Sequence, residues 1–505
     1  MGNKESKEIV DRSNKKIKDF KVKELKSLKG TRELYLNDNE IMELPREIGT
    51  LQVLEVLRLS NNNLKNVPPT IKDMKALHTL EIANNKLFVN TFPSLICSSK
   101  TIKHLDLSGN QLEEVSEEIG NMNSLETLNL GNNTLKTIPA DIINLNKLKK
   151  LDLRMNKLQA IPQDIGKMES LESLVLSNND LKKLPDSIGN LKRLRVLDIS
   201  LNSIPALPSE VDNITSLEEF RCDKSGLKQF PSFEKWRSLR IISVANVEVP
   251  KVPLDLFGFP NLQEMSLREN GQFVEIPNEI GNLVTLTSLD ISTNNLSTIP
   301  GGIGNLTNLT FLDISKNKLT SETLPNSLAN LKKVTNLKGN NNELVSFPPD
   351  VAGMNLLVTL DLSNNSIARI GPEIGGLTNL EFLDLSGNRI TDFPKEIQSC
   401  TKITKLYLKH NELKTLPQEI SDLFILKTLD ISHNMLTMLP PSIGLLGKLE
   451  NMPSDHNQLI FPPAEVMQKP LKDVLAWMKK MENEVKKKIS FLEKNLCFIK
   501  KNHFI

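Results

Sequence analysis

The chain has 505 residues, a net charge of +2, 39% hydrophobic residues and only 4% aromatics. Near-neutrality gives no global case for binding a polyanion, and no run of about 18 apolar residues is present to span a bilayer. The charge is unevenly placed. Residues 1–26 carry nine Lys/Arg against five Asp/Glu, and 469–505 carry ten against four, so 27–468 is mildly acidic. Cys97, Cys222, Cys400 and Cys497 are scattered singly, with no CxxC pair and no signal-peptide core, which predicts a reducing, cytoplasmic setting.

The chain opens with Met1-Gly2-Asn3-Lys4-Glu5-Ser6, the pattern for N-myristoylation at Gly2. One acyl chain anchors only marginally. Lys15, Lys16, Lys18, Lys21, Lys23 and Lys26 would add attraction to anionic lipid, with peripheral attachment to the inner face of the plasma membrane as the expectation. Ile9–Phe20 reads as a worn half-repeat, with Asn14 in its asparagine slot, serving as an N-terminal cap.

From Leu34 one sentence repeats, clearest in LETLNLGNNTLKTIPADII from Leu125 to Ile143. Its skeleton is L-x-x-L-x-L-x-x-N-x-L-x-x-[IL]-P-x-x-I. The asparagine slot runs from Asn39 to Asn457 in 19 repeats, and 14 of the 18 steps are 23 residues. L-x-L predicts a short strand with Leu128 and Leu130 inward and Thr127, Asn129 and Gly131 outward. The asparagine amide can satisfy backbone groups left open by the following turn. Pro139 keeps Ile138 extended, and the apolar spacing of Ile142, Ile143, Leu145 and Leu148 suits a short helix or 3-10 turn on the outer side. Stacked, these units predict an α/β solenoid, a horseshoe with a parallel sheet on its concave side.

Two repeats lack the asparagine, with Ser225 and Val247 in the slot and Trp236 between them. Drift that still stacks is one reading; a kink or contact site is the other. At the far end Pro453 falls inside the expected strand, so the sheet should stop there. Leu471, Val474, Leu475, Met478, Met481, Val485, Ile489, Leu492 and Leu496 then follow helical spacing. The first half of that helix is expected to cap the last repeat. The domain boundaries that follow are a basic arm and cap over 1–26, the repeat array over 27–468 and a basic helical cap and tail over 469–505.

The outward central column contains Asp106, Asp152, Asp198, Asp290, Asp313, Asp361, Asp384 and Asp430. It reads either as hydrated repeat consensus or as an acidic ladder for a basic protein surface. Tyr35 and Tyr407, the only tyrosines, share this column, and Phe311 and Phe382 occupy the adjacent one. Exposed aromatics and arginines are interface anchors, so Tyr35, Arg154, Arg221, Phe311, Phe382 and Tyr407 are the candidate partner-binding residues. His410, His433 and His456 precede the asparagine slot in successive repeats and should stack in a column. Tolerated turn residues explain them, so neither a metal nor any cofactor is assigned. No phosphate loop, GxSxG, HExxH or carboxylate pair stands outside the repeat register, which predicts a non-enzymatic protein-binding array.

Lys487-Lys488-Ile489-Ser490-Phe491 resembles the K/R-[VI]-x-[FW] docking motif for type 1 protein phosphatase, implying Lys488, Ile489 and Phe491 as docking residues. The repeat core resembles the leucine-rich repeat. Its extended tails, LPREIGTLQVL, IPQDIGKMESL and LPDSIGNLKRL, resemble the intracellular class of the Shoc/Sur Ras scaffolds, Ras-suppressor proteins and plant intracellular Ras-group proteins. That resemblance implies a signalling scaffold whose partners are a Ras-family small GTPase and a type 1 phosphatase catalytic subunit. Similar arrays also regulate larger enzymes, adenylyl cyclases and type 2C phosphatases. That is the alternative reading, with the catalytic domain outside this chain.

Overall fold

The computed structural model describes residues 8–88, 94–230 and 232–502; Gly2, the lipidation candidate, lies outside them. Two compact units divide the chain, Met1–Leu262 and Gln263–Ile505. Both are solenoids built of three-residue parallel strands, each followed by a turn, an extended segment and, in most repeats, a 3-10 turn.

In the first unit the described strands run from Ile9–Asp11 to Ile241–Ser243. Each pairs in register with the next, as in Thr127↔Lys150, Leu128↔Leu151 and Asn129↔Asp152. After Ile9–Asp11 the central residue of each strand, usually leucine, is buried while its neighbours are mostly half-exposed, as in Thr127–Asn129. This is the period-2 rule applied to a sheet with one packed face. Leu125, Leu128, Leu130, Leu135 and Ile142 are all buried, each contributing roughly 1.5–3 kcal/mol.

The arm participates in the sheet. Ile9–Asp11 pairs with Glu33–Tyr35, and Phe20, Leu25 and Leu28 close the end of the core. Asn14 takes the left-handed turn position, φ 57°, one residue before the asparagine slot. Lys15 fills the slot itself: its backbone N–H donates to Asn39 Oδ1 at 3.0 Å. The expected placement of Asn14 is therefore one position late.

In the second unit strands run from Glu264–Ser266 to Thr428–Asp430. The repeat ending at Asn457 has only an isolated bridge, Thr428↔Asn451. Pro453 accepts from Ile431 N at 2.9 Å but cannot donate onward. The terminal helix Leu471–Asn502 covers this end with Val474 and Met478, both buried. Gly444 permits the approach, since a Cβ there would sit 2.7 Å from the Leu475 carbonyl oxygen. Further along, Val485, Ile489 and Leu492 are exposed.

The asparagine slot is the main polar tie between coils. Asn133 Nδ2 donates to Leu107 O in the preceding coil at 3.1 Å and to Leu130 O in its own at 3.0 Å. Its Oδ1 accepts from Leu112 N at 3.1 Å. The same three-way pattern recurs at Asn62, Asn156, Asn179 and Asn202. Each bond is buried, where an unpaired partner would cost about 1–3 kcal/mol.

Around Ser225 and Val247 that tie is replaced. Both residues are buried in the slot. Trp236 is fully buried, packing edge-on against Phe220 and Phe233 with ring centroids 5.0 and 5.2 Å away. Its Nε1–H donates to Val211 O at 3.3 Å. Asp223 Oδ1 accepts from Ala245 N at 2.9 Å and from the Ser243 hydroxyl at 2.6 Å. Of the two expectations for this stretch, drift that still stacks describes it. Trp236 is a core residue rather than a contact.

Candidate protein-binding face

The outward face of the sheet follows from strand alternation: positions flanking each buried leucine point away from the core. In-register pairing sets corresponding residues of adjacent coils about 4.8 Å apart, so columns along the sequence become columns in space.

The aspartate column has an internal task. Asp106, Asp290, Asp313, Asp361 and Asp430 each use Oδ1 to accept both the backbone N–H and the hydroxyl of the serine two residues on, at 2.5–3.0 Å. Asp198 and Asp384 accept the same backbone N–H, from Ser200 and Ser386. One oxygen of each of these carboxylates therefore braces the turn, and the second can reach a neighbouring coil, as Asp106 Oδ2 accepts from Asn129 Nδ2 at 3.2 Å and Asp313 Oδ2 pairs with Lys338. This corrects the picture of a purely hydrated column. Burial pushes the Asp384 carboxyl above the usual carboxylate range despite that brace, and Asp361 and Asp430 add to the shift.

The candidate anchors fall into separate places. In the first unit Tyr35 donates its hydroxyl to the Glu33 carboxylate, and the Arg58 guanidinium lies 5.0 Å from its ring centroid. The hydrogen bond to Glu33 raises the Tyr35 phenol above its ordinary range, with burial contributing next. Arg154 is paired with Asp152 at 2.6 Å and Arg221 with Glu219 at 2.5 Å. Both arginines thus arrive with an acidic partner two residues earlier, on the same strand face. The hydrogen bond to Asp152 holds the Arg154 guanidinium above its usual range.

In the second unit Phe382 and Tyr407 lie on adjacent strands with centroids 5.5 Å apart. Both are half-buried. Lys405 stands opposite Phe382, and Asp384 and Asp430 flank Tyr407. Phe311 sits three strands away in its own cluster. Lys338 Nζ is 5.4 Å from the Phe311 centroid and 3.6 Å from Asp313. Within the second unit, then, Phe382 and Tyr407 are brought together and Phe311 is set apart.

The phosphatase-like segment lies in the terminal helix, with Lys488 and Ile489 exposed. Docking as an added strand would require that turn of helix to unwind. Of Phe491 only the helical backbone is described. Cys97 and Cys400 are buried, and burial pushes their thiols up to about 12 and about 11; burial raises the Cys222 thiol as well. These thiols stay protonated and inert. Among the described residues no helix is long and apolar enough to cross a membrane.

Residue chemistry in the turns was less legible. His410, His433 and His456 do form the expected column, with centroids 4.2 and 4.0 Å apart. Asp455 joins them, its Oδ2 2.7 Å from His456 Nδ1. Sequence reasoning missed Asp455, although its place immediately before His456 was the available signal.

The model of the leucine-rich repeat region matches residues 9–97, 94–180 and 216–351. Models of two-copy and single leucine-rich repeats match 356–396, 378–423, 170–191 and 426–446. Among curated proteins none matches the chain. Solved structures share the fold. The leucine-rich repeat ectodomain of the plant membrane receptor kinase GASSHO1/SCHENGEN3 from Arabidopsis thaliana, in complex with Casparian strip integrity factor 2, is 24% identical with a TM-score of 0.65. The match covers 86% of this chain and 62% of the ectodomain, so this chain spans about three fifths of that length. A leucine-rich repeat protein of Leptospira interrogans is 28% identical, TM-score 0.50, over 92% of this chain and 94% of its own. The plant peptide hormone receptor RGFR1 in complex with RGF2 is 27% identical, TM-score 0.60, over 89% and 83%. On the matched repeat region and this shared architecture, the chain belongs to the leucine-rich repeat family.

Proposed function

We propose that this chain is a non-catalytic scaffold that binds a protein partner on the outward face of its sheet, with Phe382 and Tyr407 as the central anchor. The observation that carries the reading is the pairing of these two rings, half-exposed at 5.5 Å, on a face whose packing does not require them. A ring pair beside Lys405 and between Asp384 and Asp430 offers apolar area with charges of both signs, the composition of a protein-binding hot spot. The plant receptor RGFR1, which shares the repeat architecture, is solved in complex with RGF2, and this supports a peptide or protein as the class of ligand.

The extended repeat tails favour an intracellular signalling partner, a Ras-family GTPase, with type 1 phosphatase engaged through Lys488, Ile489 and Phe491. A cytoplasmic, peripherally membrane-bound location through Gly2 completes the proposal. The test is affinity purification of the full chain beside Phe382→Ala and Tyr407→Ala. The proposal expects a small GTPase or the phosphatase with wild type and a loss of about 2 kcal/mol in affinity, roughly thirtyfold, for each variant. Recovery of neither partner, or recovery indifferent to both substitutions, overturns it. Equal membrane association of wild type and Gly2→Ala removes the lipid anchor alone.

A further inference from the structure

The histidine column has properties that its role as turn filler does not require. His410, His433 and His456 sit at left-handed φ of 54°, 53° and 55°, a conformation that admits asparagine and histidine more readily than most residues. Asn61, Asn84, Asn132, Asn178, Asn341 and Asn364 adopt it elsewhere. The backbone ladder locks the three imidazoles one above another: His433 N donates to Asp455 O at 2.9 Å, and Asn411 N and Asn434 N donate to His433 O and His456 O at 3.2 Å.

The side chains then converge. His433 Nδ1 is buried and makes no hydrogen bond, yet it faces Asp455 Oδ2 at 3.9 Å. One donor atom from each of His433, Asp455 and His456 falls within 4.8 Å of the others. Zinc takes imidazole nitrogen and carboxylate oxygen at about 2.0–2.2 Å, which puts two donors of one ion about 3–4 Å apart. The His433–Asp455 separation already meets that figure. The 2.7 Å contact between His456 and Asp455 would open by about 0.5 Å as the ion replaces the hydrogen bond. Both side chains are exposed and free to move that far. Two imidazoles and a carboxylate are a donor set for borderline transition ions, whereas magnesium and calcium prefer all-oxygen shells.

We propose that His433, Asp455 and His456 bind one divalent transition ion of the zinc class. The ion clips the last coils together where Pro453 interrupts the strand ladder.

The test is calorimetric titration of the untagged full chain with zinc sulfate. Wild type binds one ion, and His433→Asn and His456→Asn each weaken binding at least about tenfold. Asparagine preserves the turn at these positions, so circular dichroism stays unchanged. His104→Asn, on a strand of the first unit, leaves the affinity unaltered. Cobalt(II) gives visible absorption bands with wild type that His433→Asn abolishes, and zinc raises the melting temperature of wild type but not of the double variant. Absence of saturable zinc binding, or equal affinity in the His433→Asn/His456→Asn double variant, overturns the site.

Discussion

The coils from Leu125 to Asn202 and the coils carrying Ser225 and Val247 solve one problem by different means. In the regular coils a buried amide ties three backbone groups across two repeats, as Asn156 does with Leu130 O, Leu153 O and Leu135 N, each at 3.0 Å. In the irregular coils the amide is gone. Aromatic packing of Trp236 with Phe220 and Phe233 and the reach of Asp223 into the next coil take its place. The repeat thus needs a tie between coils, and either a polar or an apolar one serves.

That comparison can be broken from both sides. Trp236→Ala should have the largest effect, about 4 kcal/mol, because it removes a fully buried indole from a well-packed cluster; urea unfolding measures it. A loss under about 1 kcal/mol would mean that the aromatic cluster is not the tie. Asn156→Ala should follow at about 3 kcal/mol, since it strands buried backbone donors and acceptors.

Ser225→Asn sharpens the contrast. It restores the repeat consensus, yet should cost about 1 kcal/mol instead of stabilising. In a regular coil the amide oxygen accepts from the residue 21 positions earlier. Here that group, Ile204 N, already donates to Ser225 O at 2.6 Å. A melting temperature above wild type would refute this account.

The smallest effect concerns the carboxylate braces. Asp223 reaches across to the next coil, while Asp384 holds only its own turn at Ser386 N. Asparagine can do the latter, as Asn129 does with Gly131 N at 3.1 Å. Because the folded-state carboxyl of Asp384 is raised, the folded chain holds that proton more tightly than the unfolded chain. Its contribution to stability is therefore lost as pH rises from the unfolded value of 3.8 through the raised folded value. The stability of Asp384→Asn relative to wild type should increase as pH rises above about 4, read by denaturant midpoints at each pH. A difference independent of pH would remove the inference.

The repeat was legible because its fold residues are spaced by backbone geometry: L-x-L names the strand, and the asparagine names the turn. The arm was partly legible: Ile9–Phe20 reads as a worn half-repeat and does stack as one, but its slot is filled by Lys15, one position after Asn14. The face was half-legible. Alternation placed Tyr407 and Phe382 outward, but whether Arg154 and Arg221 stand free depends on Asp152 and Glu219, two residues earlier on the same face. Trp236 was ambiguous for another reason: a single large ring between misspelled repeats fits a buried plug and an exposed anchor alike, and only packing distinguishes them.

The asparagine ladder has a mechanical consequence. Each amide is a rivet joining its coil to the one before, so tension along the stack is shared rivet by rivet and a load must shear several bonds at each joint. The joint from Ser225 to Val247 lacks the amide rivet and is held instead by ring packing around Trp236 and by the Asp223 carboxylate's bonds to Ser243 and Ala245. Pulled from its ends, the first unit is a notched rod, and the notch lies at Trp236.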